Sequence, residues 1–194
     1  MGSRSVRCGV RCVSLTRAAK NPFIVTNRLD QHFHAQQSNT LWLTDTTYIP
    51  TRDGWLYIVT VLDVCTRQIV GWAMGDHHDA ALANAALDMA LAHQRPAPGL
   101  LLHFDRGSEF ANLLYYDTCQ AAGIVRSMSR SGNPFDIAMA ESFFATLKLE
   151  AVQGRVFVSK AEARMVLFDY IEVFYNRTRL HSGLVYATPL SSAA

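Results

Sequence analysis

LWLTDTTYIPTRDGWLYIVTVLDVCTRQIVGWAM, residues 41–74, holds three runs rich in Val, Ile, Trp, Tyr and Thr. The β-branched and aromatic content predicts strands over Leu41 to Ile49, Trp55 to Val64 and Gln68 to Met74. The first two are joined by Pro50-Thr51-Arg52-Asp53-Gly54, a turn cluster with Asp-Gly, and the second pair by Cys65-Thr66-Arg67. Links this short allow only antiparallel neighbours, because parallel strands need a crossover. The stretch therefore predicts a three-strand meander.

Downstream the pattern changes period. Asp79 to His93, DAALANAALDMALAH, places Ala80, Leu82, Ala83, Leu87, Ala90 and Leu91 on one face and predicts a helix, stopped by Arg95-Pro96-Ala97-Pro98-Gly99. A short strand from Leu100 to Phe104 leads into Asp105. A helix is expected from Ser108 to Ala122, closed by Gly123, then a strand from Ile124 to Met128. A loop from Ser129 to Asn133 precedes a long helix to Ala151, and a last helix runs from Ser159 to Tyr175. Two late strands separated by a helix must lie parallel, which predicts an α/β fold with a mixed five-stranded sheet flanked by helices. Residues 1–38 are basic and unpatterned, an extended lead-in and partly disordered by expectation, so residues 39–194 form the expected folded unit.

The chain has 194 residues and 49% apolar content, enough for one domain with a sizeable core. No window has the apolar run that spans a bilayer, which argues against a transmembrane protein. Arg4, Arg7 and Arg11 before a short apolar patch make a poor signal peptide, and a cytoplasmic protein is expected. Four cysteines give no disulfide framework; Cys65 and Cys119 read as buried thiols. Cys8, Cys12, His32 and His34 lack the spacing of a usual zinc finger. Net charge is only +2, but its distribution is uneven. Residues 1–30 carry six positive charges against one negative, residues 31–125 four against nine, and residues 126–194 eight against six. An acidic middle between basic ends suits a carboxylate metal site flanked by surfaces that meet phosphates, although scattered surface charge gives the same count.

Three acids carry the chemical reading. Asp45 sits inside an apolar strand, where a carboxylate is costly unless paired or metal-bound. Asp105 follows the apolar run Leu100 to Phe104, and ligand sites of open α/β sheets lie beyond the carboxyl ends of strands. Glu141 lies two turns into the helix that carries Ala138-Met139-Ala140-Glu141-Ser142-Phe143-Phe144. Alone, each also fits an ordinary exposed acid. Together they suit a hard divalent ion, which takes oxygen ligands, and two such ions promote in-line displacement at phosphorus.

Asn133 as N-cap, Pro134 at the first position and Asp136 near the dipole give Glu141's helix a start. Its apolar face is Ile137, Ala140, Phe143, Phe144, Leu147 and Ala151. Lys148, seven residues after Glu141, projects within about 20° of it. Lys148, Arg130 and Asn133 of the preceding loop, and Arg177, Arg179 and His181 near the end are candidate DNA contacts. Each also fits a plain solvated or helix-capping role. Asp63 also interrupts an apolar strand and competes with Asp45 for the catalytic role. His103 reads as structural, and Trp42, Trp55 and Trp72 as core or sheet-face residues.

Four blocks, WLTDTTYIPTRDGWLYIVTVLDVCTRQIVGWAM, HFDRGSEFAN, SGNPFDIAMAESFFATLKLE and YNRTRLHSGLVYATP, closely resemble the integrase core of bacterial insertion-sequence transposases. These belong to the retroviral-integrase-like superfamily with a ribonuclease H-like fold. The resemblance runs from Asn39 to Pro189. It implies that Asp45, Asp105 and Glu141 are catalytic and hold two Mg²⁺ (or Mn²⁺) ions, and that the enzyme is a DDE transposase that cleaves and joins double-stranded DNA. It leaves Asp63 outside that triad, as a structural residue. It also implies a homo-multimer on DNA. Residues 1–38 are too short and unpatterned for the helix-turn-helix that relatives carry in the same chain or on a partner, so a truncated gene, a misplaced start and a separate helix-turn-helix subunit all stand as readings. Position 104 is Phe where a small hydroxyl residue is common, 109 is Glu where Gln is usual, and 137 is Ile where Asn is usual. The competing readings are a hydrolytic-only nuclease of the same fold and a non-catalytic DNA-binding or assembly fragment.

Overall fold

The computed structural model describes residues 23–30, 34–130 and 138–193. The meander is present: β1 (Leu41–Thr51), β2 (Gly54–Asp63) and β3 (Ile69–Gly75) pair antiparallel. β4 (Leu101–Phe104) and β5 (Val125–Met128) then add in parallel on the far side of β1. The order is β3-β2-β1-β4-β5, one mixed five-stranded sheet with β1 at its centre.

Alternation along the strands splits the core in two. Leu41 and Leu43 of β1 and Leu56, Ile58 and Leu62 of β2 face one way; Trp42, Val59 and Val61 face the other. The first face is covered by α3 (Ala138–Leu147) and α4 (Lys160–Phe168), through Phe143, Phe144, Leu147 and Leu167. The second is covered by α1 (Ala80–Gln94) and α2 (Leu113–Ala121), through Leu82, Ala83, Ala86, Leu87, Ala90 and Tyr115. The alanine-rich sequence of α1 has a steric reason. A Cβ on Gly71 of β3 would lie 2.6 Å from the Ala90 amide nitrogen and 2.7 Å from its Cβ. Only glycine facing alanine lets helix and strand approach this closely.

The structure moves several expected boundaries. The second helix begins at Leu113, not Ser108, because Asn112 is its cap: Asn112 Oδ1 accepts from the Tyr115 amide at 3.0 Å. Residues 108–112 instead form turns, with Phe110 and Ala111 donating back to the Gly107 carbonyl. The third and fourth helices are α-helical only to Leu147 and Phe168. Each then widens into a π-helical turn, Lys148–Val152 and Asp169–Tyr175. The wider turns keep Ala151, Val152, Tyr170, Ile171 and Tyr175 buried on the same core. Cys119 is buried as expected, but Cys65 is only half-buried, on the link between β2 and β3. Trp42 is core, whereas Trp55 is half exposed and packs edge-on against Tyr48 at 4.8 Å.

The lead-in before residue 23, the Asn133-Pro134-Asp136 helix start and Ile137 lie outside the described residues, as do Cys8, Cys12 and His32. Among the described residues no helix is long and apolar enough to cross a membrane.

Candidate active site

The sheet register brings the two aspartates together. Leu43 of β1 lies beside His103 of β4 in the parallel pair. Two residues further along come Asp45, which by the strand alternation is on the face that α3 covers, and Asp105, one residue past the end of β4 and near enough for its charge to act on Asp45. Glu141 sits exposed in the first turn of α3, whose Ala140, Phe143 and Phe144 pack in the same core as Leu41 and Leu43.

Few donors serve these acids. Asp45 is 9% exposed, and its Oδ1 accepts from the Thr46 amide at 2.7 Å. Burial pushes its carboxyl up to about 7; the Thr46 amide pulls against the rise, and the charges of Asp105, Glu141 and Glu109 add to it. Asp105 Oδ1 accepts from the Gly107 amide at 2.8 Å. Burial raises its carboxyl too, opposed by the Gly107 amide, reinforced by Glu109 and relieved by His78. Asp63 makes the contrast. It is 1% exposed, yet Oδ2 accepts from the Asn39 amide (2.6 Å) and Trp42 Nε1 (3.1 Å), and Oδ1 from the Thr66 amide (2.9 Å) and hydroxyl (3.1 Å). That carboxylate is a structural clamp, as the sequence suggests.

Three residues near the aspartates are absent from the sequence-based site. Glu109 is buried beside them; its Oε1 lies 2.6 Å from His78 Nε2 and 3.3 Å from Thr46 Oγ1. The available signal was an acid four residues after Asp105 in the strand-to-helix segment. His78, which stacks on Tyr57 at 5.6 Å, and Thr46 carried no signal.

The candidate DNA contacts are spread out. Lys148 is exposed, with Nζ 5.3 Å from the Tyr48 ring centre. Arg130 pairs with Asp30 at 3.1 Å. Arg177 is exposed and donates to the Glu172 carbonyl. Arg179 is held by Glu150, Nη2 to Oε1 at 2.9 Å. His181 lines a cavity of about 440 Å³ with Arg67, Ser142, Tyr175 and Arg179. Burial and the two arginines push its imidazole down to about 4. Asn133 lies outside the described residues. His103 is buried in the sheet, with Nδ1 2.9 Å from Ser127 Oγ.

Residues 35–134 match the family described as Integrase core domain, and residues 141–191 match a second family of the same description. The chain is 44% identical over 163 residues to the transposase for insertion sequence element IS904 of Lactococcus lactis subsp. lactis (strain IL1403), covering 84% of this chain and 64% of that one. It is 42% identical over 174 residues to the insertion element IS600 uncharacterized 31 kDa protein of Shigella sonnei, covering 90% of this chain and 64% of that one. The chain thus spans under two thirds of the length of these curated relatives. Among solved structures, the HTLV-2 integrase catalytic core domain in complex with magnesium superposes with a TM-score of 0.63 at 12% identity, covering 83% of this chain and 100% of that one. The fold is thus the ribonuclease H-like fold of retroviral integrase catalytic cores. On the sequence matches, the chain belongs to the integrase core domain family.

Proposed function

We propose that the chain is the catalytic core of a DNA transposase, a DDE-type polynucleotidyl transferase with Asp45, Asp105 and Glu141 as its metal-holding carboxylates. The observation that carries the reading is that Asp45 inside β1 and Asp105 just past the end of the parallel neighbour β4 stand close enough for their charges to interact, with few donors among the described residues.

The residues fit a hard cation. Asp45 and Asp105 are raised by burial, and repulsion from neighbouring carboxylates adds to the rise; a divalent ion meets both the charge and the oxygen preference. Among the described residues no three His, Cys, Asp or Glu side chains already stand close enough to hold an ion, so binding has to draw the carboxylates together. Mg²⁺ or Mn²⁺, two ions by expectation, would activate the attacking oxygen and stabilise the leaving one.

The chain's own residues prepare the site. The Thr46 and Gly107 amides fix one oxygen of each aspartate and leave the other available. Burial raises the Asp45 carboxyl to about 7 without an ion, so an ion held there would favour its charged form and displace the proton. Lys148, Arg130 and Arg177 offer exposed cations for phosphates of double-stranded DNA, with Asn133 as a further contact. Arg179 is anchored to Glu150, which makes it a support for His181's segment as much as a DNA contact.

Residues 39–194 would be the catalytic unit, with residues 1–38 a basic lead-in. The unit would work as a homo-multimer on DNA in the bacterial cytoplasm. Strand cleavage and rejoining on a branched DNA that bypasses end recognition tests this, with Mg²⁺ or Mn²⁺ and Glu141→Gln beside the wild type. Metal-dependent joined products lost in the variant are expected. Cleavage without joining would indicate a hydrolytic nuclease, and no products from a folded protein a non-catalytic fragment. Equal activity in the variant would overturn the assignment of Glu141.

A further inference from the structure

Glu109 lies one residue away from Asp45 in the hydrogen-bond network and packs over the glycine that holds Asp105. The Thr46 amide holds Asp45, and the Thr46 hydroxyl reaches Glu109 Oε1. The Gly107 amide holds Asp105, and the Glu109 carboxylate fills the space over Gly107. A Cβ on that glycine would meet Glu109 Cδ and Oε1 at 2.5 Å and collide with Oε2.

The Glu109 side chain is 3% exposed, and His78 Nε2 fixes its Oε1 at 2.6 Å. Its Oε2 is buried with no hydrogen-bond partner among the described residues. A polar oxygen out of water without a donor carries a desolvation cost. That cost disappears if a cation stands in front of it.

We propose that Glu109 is a further carboxylate of the metal site, with Oε2 coordinating the ion or accepting hydrogen bonds from its water shell and with His78 and Thr46 as positioning residues. The proposal rests on the reading of Asp45 and Asp105 as metal ligands. The two aspartates leave most positions around an octahedral or larger oxygen shell open. Glu109 approaches from the turn after β4, whereas Glu141 approaches from α3, so the two acids do not compete for one place. A His78–Glu109 pair that served only the fold would make a different prediction. Its loss would weaken the ion-free protein and leave ion affinity alone.

Calorimetric titration of the full 194-residue chain with Mn²⁺ at fixed ionic strength, alongside thermal melting without metal, separates these outcomes. Glu109→Gln keeps the shape and the acceptor for His78 and Thr46. It is expected to weaken Mn²⁺ binding about tenfold or more, the effect of altering groups around metal ligands, while the ion-free melting temperature holds or rises. His78→Ala should weaken binding by a smaller factor. Asp117→Asn, which removes one exposed charge on α2, should leave it unchanged.

Asp45→Asn is the check on the underlying reading and should abolish binding. If it does and Glu109→Gln binds Mn²⁺ within twofold of wild type, the role of Glu109 is overturned and the site survives. A lowered ion-free melting temperature with unchanged affinity overturns it equally, in favour of a structural pair. If the wild type binds no Mn²⁺, or Asp45→Asn binds it as tightly, the metal site itself fails and this inference with it.

Discussion

Without divalent ions, Asp45→Asn should make the protein more stable at neutral and alkaline pH. The change removes a buried charge while keeping the side-chain shape and an oxygen for the Thr46 amide, which sits 2.7 Å from Oδ1. Burial raises the Asp45 carboxyl from an ordinary 3.8 to about 7. The folded chain therefore holds a proton that the unfolded chain has already released between those values. Stability falls as pH rises through that window, and the loss is complete above about 7. Each tenfold change in proton affinity is about 1.4 kcal/mol, so the full loss is at most about 4 kcal/mol. Asparagine suffers none of it. The advantage of the variant should be about 4 kcal/mol at pH 8, about 2 kcal/mol at pH 5 and close to nothing below pH 3.8. Urea unfolding with a chelator, run on both proteins from pH 4 to 8.5, measures the difference directly. A difference that stays flat with pH, or a variant less stable than wild type at pH 8, would refute the idea that Asp45 is an unmet buried charge. Added Mg²⁺ should erase the wild type's deficit and leave the variant unmoved.

Gly71→Ala should destabilise the fold by about 2 kcal/mol, because the new methyl meets the Ala90 backbone where α1 crosses β3; thermal melting reads the loss. Asp63→Ala strands the Asn39 and Thr66 amides and Trp42 Nε1, so urea unfolding should show a loss of about 3 kcal/mol or more, and Asp63→Asn a smaller one. Arg179→Ala breaks a partly exposed pair with Glu150 and should cost only about 1 kcal/mol. The same variant removes one of the charges holding His181 near 4, so an NMR titration of that imidazole should move up toward the ordinary 6.5.

The meander was legible because its links are too short for any topology but antiparallel, and β1 to β3 form as residues 41–74 imply. Parallel addition of β4 and β5 followed from the helix between them. The exact junctions were less legible. Asn112 reads as one polar residue among several, and only the folded turn over Gly107 makes it the cap of α2. The π turns at Lys148 and Asp169 leave no periodic trace, because the burial of Ala151, Tyr170 and Tyr175 that selects them is set by the sheet beneath. That Asp45 falls inside β1 and Asp105 just past β4 was readable from the apolar runs around them. Glu109 looked like a departure from a family habit, since its meaning depends on Thr46 and His78, which are 63 and 31 residues away in sequence.

Asp45 and Asp63 show why burial alone could not have sorted these acids. Both interrupt apolar strands of the same hairpin, and the sequence offers similar neighbours for each. Asp63 lies near the end of β2, where the chain turns, and a turning chain presents free amides; Asn39 and Thr66 supply them, with the Trp42 indole as a further donor. Asp45 lies mid-strand in the central strand, paired with Thr60 of β2, and the Thr46 amide is the one backbone donor that reaches its carboxylate among the described residues. A mid-strand carboxylate can rarely collect donors from the backbone, so its charge has to be met from outside the sheet. The parallel pairing of β1 with β4 brings Asp105, just past the end of β4, near Asp45. On the proposed reading the roles follow from where the acids fall: one at a turn becomes a clamp, and two crowded at the centre of the sheet would become a place for a cation.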